Sequence, residues 1–569
     1  MIVSEGSLIY QKMALGQILR LLSWIDREPF SKTYGCFDRT YWGWKFTDFP
    51  GARFQEGVYA LAYLFCCTFE HNNLAGNERV LEWARAGLSF WQKNQYRDGS
   101  FDEAYPYEHS LAATAFTTFY LGEAFLHLID YIPAKQQSSL HQTFTRAGDW
   151  FCRNDEKHGL LTNHLAAAAA ALNVIYRICG VDKYQNRCHY FLQRIYDHQS
   201  QEGWYEEYGG ADPGYQTHST FYLARIWRQT QDSTLLESLK QSLAFLKYFI
   251  HPNGTLGGEY GSRNTEFYFP AGFEILAPVL PDAALIANFM RASVAKQVSA
   301  GLAAMDAYNF LPMLNNYFFA ADCATDLNWV SNDLPCQQEF DNEAYFPEAG
   351  LFVKSTPNYY SVLGLSKGGI LKVYDRATGQ LAGSDCGYWA KIDGGQIVSS
   401  QSLCRSGYEM LQTNKFSIEA NFVQVNQRVQ TPWLFMGFRL FTLILGWLPA
   451  AAYWLKNLLV HILVRRRQVK PLRLVRQVRF EKDSIFISDK IKVTGKLKVH
   501  TLQHGPKFAT IHMGSSRYFQ FQELEAPSTD EGLDWSRNLQ ENGKEISIER
   551  TFSVSSLGSS GICVVLCAP

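Results

Sequence analysis

Between residues 34 and 280 apolar positions recur at helical spacing in paired segments, and the two members of each pair differ in polarity. In one pair, 81–95 (LEWARAGLSFWQKNQ) mixes apolar and charged positions, whereas 109–125 (HSLAATAFTTFYLGEAF) is almost free of charge. The same contrast links 141–154 with 163–178, 185–199 with 215–227, and 234–250 with 271–280. A looser first copy has 54–67 as its apolar member. Each connecting loop carries Gly, Asn or Asp, among them Gly99, Gly159, Gly203 and Gly254. A helix with one apolar stripe covers a core from outside, and one that is apolar all round belongs inside it. The pattern predicts an α+β multidomain chain whose residues 1–330 form an (α/α) toroid of helical hairpins, with the loops at one end of the ring.

After Pro312 the period changes to two. Segments 350–375, 416–427, 484–502 and 547–554 alternate or carry β-branched residues between turn signals, which predicts an antiparallel β-sandwich over 331–569. The stretch 433–464 breaks this pattern: it is strongly apolar and is followed by Arg465, Arg466 and Arg467. From Arg465 to Arg479 there are seven basic residues and no acid. Only 16 uncharged residues separate Arg439 from Lys456, Pro449 among them, fewer than the roughly 20 that span a bilayer. The expectation is an inserted helical segment at 431–479 whose residues 433–467 lie in one membrane leaflet, on the anionic cytoplasmic side. A buried core hairpin is the competing reading.

Composition narrows the class. The 569 residues exceed one ordinary core, and 47% apolar with 19% charged residues is globular, not disordered. A net charge of -1 gives no global attraction to nucleic acid. The twelve cysteines contain no CxxC pair, which fits reduced thiols and implies no metal or cofactor site. Residues 1–22 lack the basic and apolar regions of a secretory signal. The expected location is cytoplasmic, peripheral on the inner face of the membrane.

The junctions where loops feed inner helices are the candidate site. Unpaired N–H groups and positive dipole ends converge there and suit a carboxylate or sulfate. The polar residues at these junctions are Glu108 and His109, Asn163 and His164, Tyr215, Gln216 and His218, then Glu259, Arg263 and Asn264.

Asn163-His164 opening one inner helix, and Tyr215 opening the next after a Gly-Trp-Tyr-Glu-Glu loop, resemble the heparinase II/III-like polysaccharide lyases, together with alginate lyases and dermatan-type uronyl epimerases. The resemblance implies removal of the C5 proton of a uronate, giving β-elimination or epimerisation on a uronate-containing polysaccharide or lipid-linked precursor. Asn163 would neutralise the carboxylate, His164 would be a second donor or the base, and Tyr215 would protonate the leaving oxygen or act as base. Arg263 would favour a phenolate or clamp the carboxylate. Glu108, His109, His218, Glu259, Asn264 and Tyr388 complete the expected substrate-binding set. Such lyases commonly bring a histidine from the β-domain, but none occurs here between His251 and His461. Tyr388 or Tyr374 is the expected substitute.

Local structural roles compete with each assignment. Asn163 suits a helix N-cap, His164 a core histidine and Tyr215 simple packing. The acids around Asp102, Glu103, Glu206 and Glu207 suit solvated loop faces. Two other functions remain open: a non-catalytic glycan-binding or assembly protein of an exopolysaccharide system, and a toroid glycoside hydrolase using a pair such as Asp102 and Glu206.

Overall fold

The structure is a computed structural model. It describes the chain apart from residues 1–3, 157–158, 160, 329–332, 426–428, 430, 461–467, 506, 511–517, 519–532, 542–543, 555–559 and 568–569. Among the described residues, the helices Gly57–Cys66, Leu111–Leu128, Thr162–Cys179, Pro213–Thr230, Ala271–Leu276 and Ala307–Cys323 form a closed inner ring, each touching the next and the last touching the first. Closure is tight: Tyr59 stacks on Phe319 at 4.3 Å, the Tyr63 hydroxyl donates to Asp322 at 2.6 Å, and Asn315 Nδ2 donates to the Glu56 carbonyl at 2.9 Å. The alanine run Ala166–Ala171 is at most 1% exposed, so small side chains let the inner helices approach closely. Outside lie the more polar helices Glu78–Asn94, Ala134–Arg153, Asp182–Tyr196, Ser233–Leu246 and Pro281–Ala295, with Glu5–Leu15 against the inner helix Ala307–Cys323 and the outer helix Pro281–Ala295.

Three of the recurring glycines close the same kind of turn. Gly99, Gly203 and Gly254 each close a turn by donating to the carbonyl three residues earlier, with φ of +104°, +96° and +86°. A Cβ on Gly99 would fall 2.1 Å from the Arg146 carbonyl oxygen, and one on Gly203 2.2 Å from that of Gln241. These two turns thus lie directly on the backbone of the next outer helix, whereas Gly254 meets the Ser293 side chain and Gly159 has nothing within 4 Å. Gln95 and Gln199 brace two of these turns in the same way, each donating both to the glycine's own carbonyl and to the following outer helix. The loops meet at one end of the ring, as expected: Leu161 pairs with Glu207, Ser262 donates to the Glu207 carbonyl, and Ala52 donates to Asp102.

The helical pattern runs further than the change of period after Pro312 suggested. Pro312 sits inside helix Ala307–Cys323, and among the described residues the first strand of the β-domain begins at Asn342. Strands Asn342–Phe346, Leu351–Ser355, Tyr359–Gly364, Ile370–Asp375 and Leu381–Asp385 form an antiparallel meander. A nine-stranded antiparallel sheet includes Tyr388–Ile392, Lys415–Gln424, Val469–Phe480, Ser484–Val493, Val499–His504 and Glu545–Val554. The two sheets pack through Phe352, Leu363 and Val373 on one side and Phe416, Val478 and Ile487 on the other.

The inserted helical segment is shorter than expected. Helices Pro432–Leu445 and Pro449–Val460 make a hairpin, but Val469–Phe480 is a central strand. Lys470, Arg473, Arg476 and Arg479 therefore form no continuous basic face. Alternation turns Arg473 and Arg479 outward to Glu419 and Glu481, and Arg476 inward to complete burial. There Arg476 pairs bidentately with Asp489 (2.7 and 2.8 Å) and reaches Asp385 at 3.1 Å, while Arg550 contacts both acids. Arg465, Arg466 and Arg467 lie outside the described residues. The hairpin is not buried in the core: it lies on the toroid, with Trp433 78% and Trp447 63% exposed. Among the described residues, no helix is long and apolar enough to cross a membrane.

Gly99→Ala should cost roughly 2–4 kcal/mol, since it adds both left-handed strain and a clash with backbone. Gly437→Ala, in an exposed helix with nothing within 4 Å of the added carbon, should stabilise by up to about 1 kcal/mol. Denaturant titration of both variants checks the contrast.

Candidate active site

Two buried acids build the site. Helix Thr162–Cys179 begins after Leu161, so Asn163 lies in its first turn and is not its N-cap. Its orphan N–H donates at 2.7 Å to Oε1 of Glu207, a residue of the next loop, and its Nδ2 donates to Oε2 at 2.9 Å. Glu207 sits in a two-stranded turn, Glu206–Glu207 against Gly210–Ala211, where alternation points Glu206 outward and Glu207 in. Burial pushes the Glu207 carboxyl up to about 8, although the two bonds from Asn163 work in the opposite direction. Asp212 caps the following inner helix by accepting from the Tyr215 N–H at 3.1 Å, and its second oxygen accepts from the Arg263 N–H at 2.7 Å. The Arg263 guanidinium then lies 3.7 Å over the Tyr208 ring at the tip of the Glu207 turn.

Aromatic rings tie the remaining groups together. Tyr215 meets Phe267 edge-on at 5.3 Å. His218, 5% exposed, is stacked between Phe116 (5.5 Å) and Phe269 (4.3 Å). Burial holds its pKa well below the usual histidine value, and the charges of Arg53 and His164 add to this, so it is neutral. Its Nε2 has no partner among the described residues. His164 packs on the edge of the same Phe116 ring at 5.9 Å, a fifth of its side chain exposed, with Nδ1 3.0 Å from Glu156 Oε2. A proton on Nδ1 shared with that carboxylate leaves Nε2 as an acceptor. Arg53 covers Phe116 at 4.6 Å and is anchored by Glu56 at 2.9 Å. From the β-domain comes Tyr518, its ring 6.4 Å from that of Phe267.

The side chains of Asn163, His164, Tyr215, His218 and Arg263 thus share one cluster at this end of the ring, whereas those of the other expected residues are engaged by other partners. Glu259 forms a buried ion pair with Lys372 at 2.8 Å; burial opposes its charge, but Lys372 and Lys507 hold the carboxyl below its ordinary pKa. Asn264 Oδ1 accepts from Lys367 Nζ at 2.8 Å, which pins its loop to the β-domain. Glu108 braces its own loop through the Glu103 and Ala104 N–H groups. His109 Nδ1 is engaged by Ser100 at 2.6 Å and Asp98 at 3.0 Å. Tyr388 lies inside the sandwich and donates to Asp489 at 2.9 Å, so it cannot replace a cleft histidine. Tyr374 is buried on His251 at 4.6 Å. The β-domain histidine His504 faces Asp385 at 3.0 Å.

The acidic loops are also not simple solvated faces. Asp102 is buried and accepts from Tyr96, Tyr107 and His109, while Glu206 pairs with Arg405. They do not form an open carboxylate pair. Among the described residues, no cluster of His, Cys, Asp or Glu side chains has the arrangement of a metal site. Glu207, Tyr208, Arg53 and Tyr518 were missed by sequence reasoning. The one available signal was Glu206-Glu207 itself, two acids whose strand alternation forces one of them inside.

Comparison with known proteins agrees with this architecture. Residues 47–269, which hold all five gathered residues, match the family described as the ulvan lyase N-terminal domain. No curated protein sequence matches the chain. The structure of Streptomyces coelicolor A3 chondroitin AC lyase, in complex with chondroitin sulphate, is similar with a TM-score of 0.54 at 9% identity, over 88% of this chain and 68% of that one. Heparinase III gives a TM-score of 0.49 at 11% identity, over 86% of this chain and 71% of that one. The chondroitin lyase likeness shows a shared fold of helical ring and β-domains. Residues 47–269 are thus similar to ulvan lyase N-terminal domains, and the chain shares its fold with a solved polysaccharide lyase.

Proposed function

We propose that the chain is a polysaccharide lyase that removes the C5 proton of a uronate in an acidic polysaccharide or a lipid-linked oligosaccharide. The observation that carries this reading is the linkage of two successive inner-helix starts: Glu207 holds Asn163, and Asp212 holds both Tyr215 and Arg263. The C5 proton is weakly acidic until the carboxylate beside it is neutralised by hydrogen bonds. Asn163 spends one amide hydrogen on Glu207 and directs the other to the substrate carboxylate. His164 Nε2 takes the C5 proton, the electron pair forms the C4–C5 double bond, the C4–O bond breaks, and Tyr215 delivers its phenolic proton to the leaving oxygen. In epimerisation the same first step is followed by return of a proton to the opposite face of C5, with the C4–O bond intact.

A panel of acidic polysaccharides, followed by ultraviolet absorbance and by NMR in heavy water, tests the reading. Unsaturated product is expected; deuterium at C5 without cleavage would make the chain an epimerase. Binding with neither signal would leave a non-catalytic glycan-binding protein.

Tyr215→Phe should lower kcat by roughly 10²- to 10⁴-fold and leave the melting temperature unchanged, because only a hydroxyl is lost. Asn163→Ala should raise the barrier by roughly 2.7–4 kcal/mol if its amide acts as an oxyanion donor. It also strands buried Glu207, costing about 1–3 kcal/mol of stability, so melting and rate per folded molecule must be measured together.

The raised pKa of Glu207 gives the site a pH dependence. Below about 8 the carboxyl is neutral; as pH rises through about 8 it ionises beside Asn163. The new negative charge repels a uronate carboxylate, so KM should climb on the alkaline side. Glu207→Gln keeps a neutral planar group and should abolish that climb while retaining turnover, as read from KM and kcat between pH 6 and about 9.5.

A further inference from the structure

The hairpin of Pro432–Leu445 and Pro449–Val460 is not used by the chemistry above. Between residues 433 and 458 it carries thirteen large apolar side chains at least 36% exposed, out of thirty such residues among the described ones. A water-soluble surface rarely gathers apolar groups so densely without a partner. Its other face is already seated on the toroid. Thr442, Ala452 and Leu455 are buried, Phe438 meets Tyr105 edge-on at 5.2 Å, and Gly446 lies against Tyr107. Arg439 pairs with Asp48, and Lys456 reaches Glu108 at 3.6 Å.

We propose that this hairpin is a docking surface for an anionic phospholipid membrane and that it holds the cleft end of the toroid against the lipid. Three observations select lipid over protein. The helices are 14 and 12 residues long, too short to span but long enough to lie in an interface. The outward face carries Trp433, Trp447 and Trp454, side chains that favour the boundary between headgroups and acyl chains. In the sequence the hairpin is followed directly by Arg465, Arg466 and Arg467, which suits a negatively charged headgroup layer.

The surface also extends beyond the hairpin. Asp48 and Phe49, which receive Arg439, follow directly on Trp44 and Phe46, a stacked pair 65% and 83% exposed. The hairpin sits on the loop that carries Glu108. Its Ala452, Tyr453 and Lys456 share a cavity of about 140 Å³ with Glu156, the partner of His164. Docking therefore orients the candidate site toward the membrane, where a surface-tethered glycan would enter. That consequence for the substrate rests on the reaction proposed above; the docking itself does not.

Flotation of the full chain with vesicles separates the two. Vesicles of phosphatidylcholine with about a third phosphatidylglycerol should carry the protein up a gradient, pure phosphatidylcholine should do so much less, and raising salt well above about 0.1 M should weaken the anionic binding. Leu443→Glu with Trp454→Glu should reduce partitioning by at least about tenfold, and Trp44→Ser with Phe46→Ser should reduce it by a smaller factor. Both pairs are exposed, so circular dichroism and the melting temperature should match wild type. Failure of the wild type to float with anionic vesicles would overturn the proposal. So would equal binding to both vesicle types, or a dimer in sedimentation velocity that the Leu443→Glu, Trp454→Glu variant dissolves while flotation is unaffected. Loss of ultraviolet signal with intact flotation would instead reject the lyase reading alone.

Discussion

Everything in the helical domain depends on the closure of its inner ring. Helices that are apolar on all sides cannot stop at a free edge without exposing one of them, so Gly57–Cys66 must be covered by Ala307–Cys323, some 250 residues later. Tyr59 on Phe319 and Tyr63 with Asp322 are the contacts that make that joint. Once the ring is closed, every loop entering an inner helix is forced to the same end. The functional groups are neighbours for that reason, although they are scattered along the sequence.

At that end the chain must satisfy helix N-termini away from water, and it does so with acids borrowed from loops. Glu207 serves the helix of Asn163, and Asp212 serves its own helix and the Arg263 backbone. Each acid thereby does two things: it completes a helix and it fixes a polar side chain in the cleft. The site is consequently inseparable from the packing around it. Stacking of His218 between two phenylalanines follows the same logic, since its neutral ring suits an apolar slot and keeps a polar edge available there.

Much of this was legible in the sequence because it is periodic. Helical spacing with alternating polarity gave the inner and outer rings, and the repeated glycine marked turns that press on the next helix. Alternation in segments such as 416–427 gave the strands. What escaped is non-periodic. The change of period read after Pro312 came too early, because tertiary packing carries helix Ala307–Cys323 through that proline. Glu207 looked solvated because acids in loops usually are, but it is buried against Asn163, with its carboxyl pushed up to about 8. Arg476 looked like one more charge in a basic run; its partners Asp385 and Asp489 lie 91 positions earlier and 13 later, and no local pattern announces them. Tyr388 was expected in the cleft because it lies in the right stretch, but the sheet turns it into that same ionic cluster.

That cluster has a consequence for synthesis on the ribosome. Its four charged members come from Asp385, Arg476, Asp489 and Arg550, with Arg476, Asp489 and Arg550 on three successive strands of one sheet. A nascent chain that has emerged only to the middle strand holds two carboxylates and a single guanidinium, a set that cannot be taken out of water at acceptable cost. The large sheet is therefore kept from settling prematurely until the strand carrying Arg550 arrives, while the toroid, encoded entirely upstream, is free to close first.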